Sequence, residues 1–162
     1  MTSPLKLRCE DAEDVVVLSS VLQDALVPLA EVAWLPAERR FVLVATRFVW
    51  EECLDVTLPP EQAQIECYSR SNFGVTFETV TAVKSRGIDL AARDRILELL
   101  AIRPEGVASP GPAAPGPAAV ELMFAGGASI RLEAERIRAH GQDIGEPWPT
   151  RWRPRHPEIE AA

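Results

Sequence analysis

Nucleophilic or metal chemistry needs histidines, cysteines or carboxylates at fixed spacings, and this chain offers few. Its two histidines, His140 and His156, have no Cys or His partner at ligand spacing, so each reads as a surface side chain rather than a base or a ligand. The three cysteines, Cys9, Cys53 and Cys67, lie far apart and form no CxxC pair. Cys53 follows Glu51 and Glu52, an acidic setting that does not suit a nucleophilic thiolate. Cys67 alternates with Ile65 on an expected strand and reads as core. No GxSxG elbow, P-loop, GxGxxG, HExxH or EF-hand loop occurs. Gly126-Gly127 is followed by no helix and reads as a turn rather than a phosphate cradle. Carboxylates are abundant, but a catalytic pair cannot be told from solvated decoration by sequence. No catalytic residue, metal site or cofactor is therefore expected.

The sharpest pattern is at the C-terminal end. Trp148, Arg151, Trp152, Arg153, Arg155 and His156 interleave rings with cations between Pro147 and Pro157. Trp and Arg are the side chains that most often anchor interfaces, and Arg also grips anions. The run reads as a docking segment for a protein partner or a second copy of the chain; the plainer alternative is a tail folded back on its own acidic body. The whole chain carries −7. Acidic residues outnumber basic ones two to one over residues 1–60, a surface that phosphate backbones repel, so nucleic acid is not expected as a partner. The longest apolar run, about Phe41–Ala45, is far too short to span a bilayer. The N-terminus lacks a basic segment followed by an apolar stretch, so no signal peptide is expected. An odd number of scattered cysteines suits a reducing, cytoplasmic location.

The elements that must position these residues follow from periodicity. Residues 5–9 read as a strand. Asp11 is a candidate N-cap for a helix that places Val15, Leu18 and Leu22 on one face. EVAWL and FVLVATRFVW read as a hairpin about PAERR. Phe41–Ala45, apolar on both pleat faces, is expected to be buried on both sides. Ile65–Ser69 and Val75–Lys84 read as strands joined by SRSNFG, with Asn72 and Gly74 free to take positive φ. Asp89 is a candidate cap for a second helix over LAARDRILELL, with Ile96, Leu97 and Leu100 inward, although its end can also be read as a strand, LLAIR. The Pro/Ala/Gly-rich stretch 104–118 reads as a flexible surface loop. Val120–Ala125 and Ser129–Arg136 form a hairpin about Gly126-Gly127, with Ile130, Leu132 and Ala134 on one side and Arg131, Glu133 and Glu135 on the other.

Several blocks taken in order — PLKLRCEDAEDVVVLSSVLQDA, AWLPAERRFVLVATRFVWE, AVKSRGID, LELLAIRPE, VELMFAGGASIRLEAERI and the W-x-x-R-x-R-P-x-H run of Trp148–His156 — resemble the bacterial family catalogued as domain of unknown function 2948. The resemblance implies no activity, cofactor or functional residue, because none is established for that family.

The expected architecture is α+β: mainly antiparallel, about seven or eight strands with two short helices, in a single domain over residues 1–146 followed by an extended tail over 147–162. A duplicated β-α-β-β unit, or a partly closed β-barrel with helices, is the alternative arrangement. The expected function is that of a non-enzymatic protein-interaction or self-assembling module. A small-ligand or anion-binding β domain, and an enzyme without a visible motif, are the alternatives.

Overall fold

Strands that alternate buried and solvated side chains need one covered face, and this chain covers it by wrapping a single sheet around one core. The computed structural model describes residues 4–49, 69–105 and 117–149. Within them run β1 (Lys6–Cys9), α1 (Ala12–Val21), β2 (Leu26–Pro28), β3 (Val32–Leu35), β4 (Arg40–Phe48), β5 (Ser69–Phe77), β6 (Val80–Arg86), β7 (Ile96–Glu105), β8 (Ala118–Phe124), β9 (Ser129–Ala134) and β10 (Ala139–Pro149). The ten strands form one antiparallel sheet in the order β1-β10-β5-β4-β2-β7-β8-β9-β6, with β3 paired to the start of β4. The sheet does not close into a barrel: its path ends at β1 and β6.

Its two halves meet through the three-residue β2, which pairs β4 at Leu26↔Thr46 and β7 at Leu26↔Glu98, Val27↔Leu97 and Pro28↔Ile96. The chain crosses from the first half to the second at Glu78-Thr79, where Thr79 takes a φ of 58°. Phe41, Leu43, Ala45, Phe73 and Val75 from one half share a core with Leu99, Val120, Leu122, Ile130 and Leu132 from the other.

Helix α1 forms as its sequence dictates. Asp11 Oδ1 accepts from the Asp14 N–H at 2.8 Å, and Asp14 in return accepts from the Glu10 N–H at 2.9 Å. Val15, Leu18 and Leu22 are fully buried. Ser19 accepts the Ile102 N–H at 2.9 Å, so the helix also satisfies an edge donor of β7.

Several expectations are corrected. Among the described residues there are ten strands and one α-helix. The segment expected as a second helix forms turns and then β7. Asp89 accepts from the Ala91 N–H at 3.0 Å in a turn instead of capping a helix. Along β7, Leu97 and Leu99 are buried while Ile96 and Leu100 are exposed, a period of two that helix propensity cannot override once β2 and β8 pair on either side. Without that helix the duplicated β-α-β-β unit fails.

SRSNFG is not a connection but the body of β5, paired on both sides by β4 and β10. Gly74 leaves room for Ile144: a Cβ would come within 2.9 Å of Ile144 Cδ1, the far end of a side chain that can turn away. Phe41–Ala45 is buried on one face only, because Val42 and Val44 are half-buried. The stretch buried on both faces is Arg47, Phe48 and Val49 at the strand's far end. Gly126 and Gly127 do take positive φ, at 83° and 80°, within a longer loop closed by the Phe124 N–H on Ala128 O.

Candidate functional site

The register of the sheet draws residues from distant segments into straight rows. On the outward pleat of the first half, Ile144 (β10), Asn72 (β5), Thr46 (β4), Leu26 (β2) and Glu98 (β7) stand side by side across five strands. The neighbouring row runs Trp148, Arg70, Phe48. On the other side lie Gly74 and Val44, with Ile96 beyond them opposite Pro28. Ala33, Val42, Leu35 and Arg40 continue the same face along β3 and β4.

Several apolar side chains of this face are exposed, while Phe48 at one end of it is buried. Exposure is 61% at Ile96, 45% at Ile144, 39% at Trp148, 38% at Leu35 and 36% at Leu26. Single exposed apolar side chains are ordinary, but several on one contiguous pleat face mark a contact surface. Polar groups are interleaved with them: Arg8, His140 and Thr76 stand level with Val42, and Lys6 and Gln142 with Gly74 and Val44. Thr46 donates to Asn72 Oδ1 at 3.3 Å. The Arg70 guanidinium lies 4.0 Å from the centre of the Phe48 ring, with only a long contact, 3.5 Å, to Thr46 O. Partial burial lowers the Arg70 pKa from its ordinary value. Among the described residues no ion pair involves Arg70 or Glu98.

Beneath Arg70, on the inward pleat, lies a buried ion pair. Arg47 Nε and Nη2 meet Asp143 Oδ1 and Oδ2, each at 2.9 Å. Arg47 is fully buried, and the Asp143 side chain is 8% exposed. Arg47 also donates to Phe48 O and lies over the Phe73 ring. Asp143 accepts the Leu5 N–H at 2.8 Å, while its own N–H donates to Leu5 O. Burial alone pushes the Asp143 carboxyl up, but the Arg47 guanidinium, the Leu5 N–H and the Ser71 hydroxyl together hold it below the usual carboxylate range. The pair fastens β1, β4, β5 and β10 into one unit. It is a positioning device for the outer face rather than a reactive centre, because both groups are spent on each other and on the backbone.

The other titratable group with a clear shift among the described residues is Cys9. Burial, then Asp14 and Asp11, push the Cys9 thiol up to about 11, which makes it a structural residue. A cavity among Val15, Phe77, Val120, Leu132 and Ile137 measures about 10 Å³, room for no more than one water. Among the described residues no group of His, Cys, Asp or Glu could hold a metal ion.

Of the docking run expected from sequence, Trp148 lies on β10, on the outer face and level with Arg70. Arg151, Trp152, Arg153, Arg155 and His156 lie outside the described residues, as do Cys53 and Cys67. His140 is exposed on β10 opposite Thr76 and Arg8. Leu26, Arg70, Glu98 and Ile144 were not singled out by sequence, and Ile96 was expected on the inner side of a helix, whereas it is exposed on β7. The one local signal was the alternation of Ile96, Glu98 and Leu100 with Leu97 and Leu99.

The family model described as "Protein of unknown function (DUF2948)" matches residues 5–156. The chain belongs to the DUF2948 family. No curated protein and no solved structure matches it. For this DUF2948 member the outer face, rather than an inherited motif, is the feature from which function must be argued. No helix among its described residues is long and apolar enough to cross a membrane.

Proposed function

We propose that this chain is a non-enzymatic protein-interaction module that docks through the outer face of β10, β5, β4, β2 and β7. The observation that carries this reading is that Leu26, Leu35, Ile96, Ile144 and Trp148 are exposed on one outward pleat, with a half-buried Arg70 beside Trp148 that has no ion-pair partner among the described residues. An aromatic and apolar patch around a partly desolvated Arg has the composition of an interface centre. Asn72, Thr46 and Glu98 supply the polar register. The interaction run from Trp148 through Arg151, Trp152, Arg153, Arg155 and His156 belongs to the same reading, since it starts on this face. A cytoplasmic setting agrees with it: Cys9 is a free, buried thiol.

The test compares binding by the full chain and two surface variants. Ile96→Lys and Trp148→Ala should each weaken self-association or partner capture by roughly tenfold or more. Glu121→Lys on the other half of the sheet should leave both unchanged. Equal binding by all four proteins sinks the reading.

A further inference from the structure

We draw no further inference here: the strongest candidate, the outward pleat of β10, β5, β4, β2 and β7 on which Leu26, Ile96, Ile144 and Trp148 are exposed, belongs to the docking surface already described, and nothing in the structure shows what covers it.

Discussion

The two halves of this sheet share an inner core but present opposite outer faces. On the second half the outward row runs Arg103, Glu121, Arg131, Lys84 across β7, β8, β9 and β6. Part of its charge is paired: Arg131 pairs Glu105 and reaches Glu133, and Lys84 meets Glu133 at 3.0 Å, while Arg103 and Glu121 make no ion pair among the described residues. On the first half the corresponding row is Ile144, Asn72, Thr46, Leu26 and Glu98, with Arg70 and Trp148 beside it. An antiparallel sheet can leave one face wet, and the second half is built that way. The first half holds the residue types of a face that expects cover. The difference teaches that exposure has two causes: solvation, which comes with paired charges, and vacancy of a contact surface, which comes with apolar groups and unpaired ones.

The comparison is broken most severely from inside. Leu43→Asp places a charge in the shared core and should cost more than about 4 kcal/mol, enough to leave little folded protein. Val42→Asp on the outer pleat of the same strand is half-exposed and should cost only about 1 kcal/mol in urea titration while abolishing self-association. If the two substitutions are equally damaging to folding, the two faces of β4 do not differ as described.

Asp143→Asn sharpens the link between inner pair and outer face. It removes the carboxylate that meets Arg47 Nε and Nη2, and breaking a buried pair in this way costs about 3–5 kcal/mol. The sign of the pH dependence follows from the direction of the shift. The folded Asp143 pKa lies below its unfolded value of about 3.9, so the folded state holds the proton less tightly than the unfolded one. Its stabilisation is complete above that unfolded value and is lost as the pH falls through it toward the folded pKa. Urea midpoints measured from pH 7 to pH 3 should drop more steeply for wild type than for Asp143→Asn over the lower part of that range. Parallel curves would remove Asp143 from acid sensitivity.

Local rules were sufficient where the structure is local. The Asp11 cap, the Val15-Leu18-Leu22 face and the β3–β4 hairpin were legible because each is decided within about twenty residues. β5 and β7 were misread because their composition argues the other way. Ser, Asn and Gly in 69–74 look like a turn, and Ala, Arg, Glu and Leu in 91–101 look like a helix, until strands far away in sequence pair with both edges. The outer face was invisible for the same reason. Leu26, Arg70, Ile96 and Ile144 come from four segments, and only a register, which no single sequence prints, puts them side by side. The partial exception is Trp148, found by its ring-and-cation setting.

The smallest expected effect tests the solvated side of the comparison. Lys84 is 67% exposed at its side chain and Glu133 37%, so their ion pair is formed in water and screened by salt. Glu133 also takes part with Arg131, which keeps a second partner in Glu105, so losing Lys84 leaves no charge stranded. Lys84→Ala should change the urea midpoint by an amount equivalent to less than about 0.5 kcal/mol, and 0.5 M salt should remove even that. Oligomeric state should not change, since Lys84 stands in the charged outward row of the second half. A large loss of stability, or a change in association equal to that of Ile96→Lys, would mean that the second half carries contact energy too. The division of the sheet into a solvated face and a docking face would then fall, because matched charges would no longer distinguish a surface that water satisfies from one that a partner must.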